Sequence, residues 1–443
     1  MGILNTVNAV LSAPGTKREI RAAALTQHTL PVHDGKTAAS SSVTDNDESF
    51  DNSGYYVTPK QRRLDRWLDK VVAWSGSEPV FLFILAALLA WAFAGIKLHT
   101  DENWQVAISD VQAIVSYIFD SLLMRQQLNA HEEALVAVAQ LRSRATSHRR
   151  MLGLLLEQQP VKRHEGEQTK TQPEPPFQLS LPEESRFGRF VTRASVLLGH
   201  IGFICVYWIS IILWLGFGPS NGWSNEWQLY INSATSALMV FVFSFLANIR
   251  ERHSEHARVC LEATFRVDSH LERKLRSITG DKLPNIEVII EPPKVNWLQR
   301  AIYYYSDLVG TLVGIAILFV VITVWLAIGP LLHFDSNWWL LIGTYAGLIG
   351  LNDGFVLRNV QAHLKDFETL QYEQLNEEGR DIFFWIQVPF IKQESTKPSL
   401  SSKVSLTIGR VCAHEMTVLA GVLLIFALIA GSSALRWDVT GRL

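Results

Sequence analysis

Three cysteines are all the chain has in 443 residues: Cys205, Cys260 and Cys412. They make no disulfide framework and no zinc-ligand spacing. Positive charge is not in excess, because the formal net charge is −2, which argues against a nucleic-acid partner. The first residues lack the apolar run of a signal peptide. No nucleophile elbow, phosphate-binding loop or zinc-protease motif occurs in the chain. These absences exclude a secreted disulfide scaffold and the motif-bearing enzymes. Neither an enzyme nor a resident cofactor is expected.

Long apolar runs are what the chain has. Hydrophobic residues make up 48%, and they fall in blocks separated by charged stretches. Seven blocks approach the length of about 20 residues that crosses a bilayer: 79–96, 104–124, 194–217, 227–249, 308–328, 338–357 and 416–435. Backbone groups in lipid must be satisfied within the segment, so the blocks are helices. The sequence therefore predicts an all-α polytopic membrane protein with seven transmembrane helices and the lipid bilayer as its surroundings.

The connections alternate in length. The short ones, at 97–103, 218–226 and 329–337, carry no Lys or Arg beyond Lys97. The long ones are basic beside the membrane, with Arg62, Arg63, Arg66 and Lys70, then Arg125, Arg186, Arg189 and Arg193, then Arg250, Arg252, Arg300, Arg358 and Arg410. Basic loops stay in the cytosol. The N-terminus is thus expected inside, and the C-terminus outside.

An internal repeat is legible. A shift of 123 residues places Arg66 on Arg189, Gly76 on Gly199, Trp91 on Trp214 and Trp104 on Trp227. A further shift of 111 places Gly199 on Gly310, Trp214 on Trp325 and Trp227 on Trp338. Each unit crosses twice, so the copies run parallel around an axis along the membrane normal. The expected organisation is a disordered cytosolic tail over 1–56, a first repeat over 57–158, and a Pro-bearing linker over 159–185. A second repeat over 186–280 and a third over 281–394 follow, and 395–443 holds a linker, a seventh helix as half a repeat, and an external tail. Helices two, four and six continue below the membrane as charged cytosolic helices, through which a homo-oligomer could form. A ring of three hairpins would place a pathway at its centre.

A charged side chain deep in the bilayer costs on the order of 2.5–3.5 kcal/mol on insertion scales, so it is a functional candidate. Asp110 and Gln112 lie in the outer half of helix two, with Asn232 and Thr235 at the same depth in helix four. Asp120 and Asp353 lie near the inner ends of helices two and six. Glu78, His200, Asp307, His414 and Glu415 lie near the inner ends of the odd helices. Oxygen and imidazole donors without sulfur suit iron(II), manganese or zinc better than copper(I). Scattered carboxylates give the weak, multiple sites that a cation pathway needs. Structural readings stand beside these. Glu78, Glu415 and Asp307 could be interfacial acids at helix N-termini. Asp120 with Arg125, and Asp353 with Arg358, could be ion pairs. His200 could bond a carbonyl, and His253 and His256 could lie on a solvated helix face.

The runs 231–236 (Ile-Asn-Ser-Ala-Thr-Ser), Met239-Val240-Phe241 and Asn248-Ile249-Arg250-Glu251-Arg252 resemble the signature of the low-affinity iron permease family. So do 109–114, 119–129 and 76–81, which are similar to the first repeat of its fungal members. The resemblance covers roughly 60–436. It implies a plasma-membrane transporter of iron(II), with zinc, copper and other divalent metals as further substrates. Two other readings stay open. One is an intramembrane haem oxidoreductase with His200 and His414 as axial ligands. The other is a receptor or scaffold acting through its cytosolic helices.

Overall fold

The computed structural model describes residues 19–27, 63–99, 101–158, 186–198, 200–333, 336–385 and 400–434. Helix α1 (Arg63–Ser75) is amphipathic, α2 (Glu78–Leu98) is apolar, and α3 (Glu102–Gln158) is 57 residues long. The same order recurs in α4 (Arg186–Leu198), α5 (Ile201–Phe217) and α6 (Asn225–Thr279). It recurs again in α7 (Trp297–Val309), α8 (Leu312–Ile328) and α9 (Ser336–Trp385). Helices α10 (Leu400–Ala413) and α11 (Glu415–Ala434) give its first half once more. The expected charged continuations of helices two, four and six are helical, as the later parts of α3, α6 and α9.

The amphipathic helices were not anticipated. Blocks 194–217 and 308–328 begin inside α4 and α7 and run through a break. Ser77, His200 and Thr311 occupy the N-cap positions where the apolar helices start. The bend is 62° between α7 and α8, and 60° between α10 and α11. At the first break the chain runs so close to α6 that a Cβ on Gly76 would sit 2.8 Å from the Ala247 carbonyl oxygen. By length and composition, three helices among the described residues can cross a membrane: α2 and the apolar parts of α3 and α6. The count reaches five if each bent pair is one span. Helix α5 is only 17 residues, and the start of α9 is diluted by four glycines, Asn352 and Asp353.

Packing centres on α3, which lies along α6 on one side and α9 on the other. Phe119, Leu123 and Met124 of α3 join Ala247, Tyr303, Val356 and Val360 in the main buried cluster. Helices α6 and α9 meet at fewer points, such as Arg250 and Gln361. The two helices of a hairpin are joined at their outer ends by stacked tryptophans. Trp91 and Trp104 have centroids 4.5 Å apart, Trp214 and Trp227 5.5 Å, and Trp325 and Trp338 4.1 Å. In the first and third pairs each indole N–H donates to the other residue's carbonyl. Below that clasp, α2 packs on α6, leaving between α2 and α3 an apolar groove of about 330 Å³ lined by Ala87, Trp91, Val111 and Val115.

The tail expectation needs correction at residues 19–27. Strand β1 (Ile20–Ala22) pairs antiparallel with β2 (Val288–Ile290), Ile20 opposite Ile290. Ala24 donates to Ser143 Oγ and Gln27 to Glu272 Oε1. The strand is held because buried polar groups on α3 and α6 need partners. The rest of 1–56 and the linker 159–185 lie outside the described residues. Residues 400–402, expected in a linker, begin α10.

Candidate functional site

Polar side chains of helix α3 fall on two faces, the second interrupted by Ala113. Gln105, Ser109, Gln112 and Ser116 follow a 4-3-4 spacing, and Asp110, Ala113, Tyr117 and Asp120 follow a 3-4-3 spacing. The first face meets α6. Asn232 Nδ2 donates to Ser109 Oγ at 2.8 Å, and the Ser233 hydroxyl donates to the Gln105 carbonyl. Gln112 Nε2 donates to Ser116 Oγ. Thr235 bonds back to the Ile231 carbonyl of its own helix, as hydroxyls on helices often do.

The second face meets α7 and α9, and it brings two acids together. Asp120 is 2% exposed and Asp353 0% exposed. They stand on stretches of α3 and α9 that pack against each other, with Gly350, one turn before Asp353, against Asp120. The Tyr305 hydroxyl of α7 donates to Asp353 Oδ1 at 2.5 Å. Asp120 Oδ2 and Asp353 Oδ2 are buried with no hydrogen-bond partner among the described residues. Gly350 faces Asp120: a Cβ there would lie 3.7 Å from Oδ2. Tyr117 and Tyr345 meet edge to face just above, with ring centroids 6.0 Å apart. About ten residues further out, roughly 15 Å at 1.5 Å per residue, Asp110 is buried and makes no ion pair among the described residues.

Neither expected ion pair forms. Arg125 turns away from Asp120 and binds Asp69 at 2.7 Å and Asp65 at 3.2 Å, both on α1. Arg358 lies against Gly409 of α10. Neither acid is therefore ion-paired with a basic side chain among the described residues. An unpaired buried carboxylate oxygen is costly, and a cation passing between two of them would relieve that cost.

The acids of the odd helices are not brought into this cluster. Glu78 and Glu415 stand in the first turns of α2 and α11, and Glu415 accepts from Asn296 Nδ2 at 2.8 Å. Asp307 lies in amphipathic α7 rather than in an apolar span. His200 caps α5, its Nδ1 accepting from the Gly202 N–H, and His414 Nδ1 accepts likewise from Met416. Helices α5 and α11 do not pack along each other, so the two imidazoles form no facing pair for a haem. Among the described residues no group of three or more His, Cys, Asp or Glu side chains converges on one point. Tyr305, missed by the sequence reading, lies in a stretch taken as a loop; its signal was the 3.6-residue periodicity of 297–309.

Long apolar helices broken at polar caps, with carboxylates buried between them, define a multi-pass membrane protein. The family model for low affinity iron permease matches residues 187–289. The low-affinity iron/zinc ion transport protein fet4 of Schizosaccharomyces pombe is 35% identical over 458 aligned residues, covering 98% of this chain and 77% of that protein. The low-affinity Fe(2+) transport protein of Saccharomyces cerevisiae is 32% identical, covering 86% and 74%. This chain belongs to the low-affinity iron permease family. No solved structure matches it.

Proposed function

We propose that this protein takes divalent metal ions, chiefly iron(II), across the plasma membrane with low affinity, and that it is not an enzyme. Zinc is a further substrate on the strength of the Schizosaccharomyces pombe relative's name. The observation that carries the reading is the buried pair Asp120 and Asp353, each with an oxygen that has no hydrogen-bond partner among the described residues. Two carboxylate oxygens and a tyrosine hydroxyl suit a hard or borderline cation. They fall short of a closed cage, so the ion can leave. Asp110, with Gln112 nearby, is the outer station on the same helix.

The proposed architecture has seven spans with the N-terminus in the cytosol. Three two-helix units make it, with α11 as half of a fourth. The recurring element order supports this, as do the three stacked tryptophan pairs. So does the match of the family model to one unit, 187–289. Uptake of radioactive iron(II) by cells expressing the chain tests the function. Asp120→Asn and Asp353→Asn should each depress uptake at least tenfold, about 1.4 kcal/mol at the limiting step, at normal surface abundance. Normal uptake by both variants would reject the pair as the pathway.

A further inference from the structure

The amphipathic helices leave a set of charges unaccounted for. On α1 the acids Asp65 and Asp69 turn inward to Arg125, while Arg66 and Lys70 face outward. On α4 the buried side chain is Val191, and Arg189 and Arg193 are exposed. On α10, Lys403 and Arg410 are exposed. None of these six basic residues makes an ion pair among the described residues. Beside them stand large apolar side chains that are also uncovered: Trp67 at 61%, Trp74 at 67%, Phe190 at 61% and Val411 at 62% exposure.

A basic and aromatic outer face is wrong for water and wrong for the hydrocarbon interior. It is right for the headgroup level, where a helix in the membrane plane sinks its apolar side chains and holds its cations among phosphates. Each of these helices ends at the break where an apolar helix begins. That position fixes its depth at the interface. The two acids of α1 pair inward with Arg125, and α4 and α10 contain none, so the charges these helices turn outward are basic.

We infer that α1, α4 and α10 form a belt that binds anionic phospholipid headgroups of the leaflet against which they lie. The ligand is a phospholipid with net negative charge, recognised by paired cations one turn apart (Arg66 with Lys70, Arg189 with Arg193) and by aromatic side chains at the acyl boundary. The breaks at Gly76, His200 and His414 connect this belt directly to α2, α5 and α11.

The test uses the full chain purified in neutral detergent, and it does not depend on metal transport. The thermal unfolding midpoint is measured with a short-chain phosphatidylserine, with the phosphatidylcholine of equal chain length, and with inorganic phosphate. Phosphatidylserine should raise the midpoint by several degrees more than phosphatidylcholine, and the difference should shrink as salt is raised. Arg66→Gln/Lys70→Gln and Arg189→Gln/Arg193→Gln should each reduce the difference while keeping the wild-type midpoint in phosphatidylcholine. Mass spectrometry of the intact wild-type protein, which needs no variant to fold, should find phosphatidylserine retained in preference to phosphatidylcholine. Equal effects of the two lipids with equal retention would overturn the inference. So would reproduction of the effect by phosphate alone, which marks an anion site without a lipid surface.

Discussion

Asp110 shows how much a single position in this molecule can carry. It is buried in the apolar part of α3 with no basic partner among the described residues. Asp110→Asn keeps size and hydrogen bonding and removes the charge. Iron(II) uptake should fall severely at wild-type surface abundance, and Asp110→Glu should keep part of it; normal uptake by the Asn variant would make Asp110 structural. A second pair of residues sets a pH response outside the membrane. His148 Nδ1 lies 3.6 Å from Asp268 Oδ1. Burial holds the His148 imidazole down at about 4, with Arg144 and Arg276 adding to this against Glu272. Burial pushes the Asp268 carboxyl up to about 6 despite Arg144. As pH falls from 6.5 to 4, the unfolded chain protonates its histidine first, so His148 costs stability. Over nearly the same window the folded chain protonates Asp268 first, so Asp268 restores it. Each shift of roughly two units is worth about 3 kcal/mol, and the two oppose. Asp268→Asn should therefore make the protein lose stability between pH 6.5 and 4, and His148→Gln should make it gain, as read from unfolding midpoints across that range. Parallel pH profiles for the two variants would refute the coupling.

Among elements, the breaks before the apolar helices are fastened by side chains from the long helices. Asn248 Nδ2 of α6 donates to the Gly76 carbonyl at 2.9 Å. Asn359 Nδ2 of α9 donates to the Ala413 carbonyl at 2.6 Å, and Asn359 Oδ1 accepts from Gln299 Nε2. The shifts of 123 and 111 residues that align the tryptophans also place Arg125 on Asn248 and Asn248 on Asn359. One position on three long helices thus ties down an amphipathic helix or a break. A carbonyl at a helix end has no partner within its own helix, and the amide supplies one out of reach of water. Asn359→Ala leaves the Ala413 carbonyl without its partner and takes one acceptor from the Gln299 amide. A loss of about 1–3 kcal/mol is expected, measured as a lowered unfolding midpoint, with protease cleavage rising first between α10 and α11. An unchanged midpoint would mean that water replaces the amide.

In the whole molecule, the segment 19–27 closes over the charged ends of α3 and α6. Glu272 is fully buried and is shared by Arg144 at 2.9 Å, Arg276 at 2.9 Å, the Gln27 N–H and the Asn285 amide. The two arginines compensate the charge, and the strand supplies the remaining donors and cover. Deleting residues 1–27 should lower the unfolding midpoint and expose 281–290 to protease, while leaving the membrane helices inserted. A truncated chain as resistant as the full one would show that the strand is dispensable.

Much of this was written in the order of residues. The apolar blocks, the ungapped register of Gly and Trp, and the charged continuations of three helices are local or periodic properties, and each has its counterpart in α2 to α11. The pairing of Asp120 with Asp353 was not legible. The two positions are 233 residues apart, and only the packing of α9 against α3 brings them together. Arg125 looked like the partner of Asp120 because it lies five residues on in the same helix. It was taken instead by two acids of α1, a helix hidden in a stretch that composition marked only as basic. The sequence alone determined that the chain lives in a membrane, because backbone groups in lipid leave apolar segments no alternative to helix. Which buried acids are left without a basic partner was decided by tertiary structure, because a carboxylate's partner is whatever charge the fold brings within a few ångströms of it.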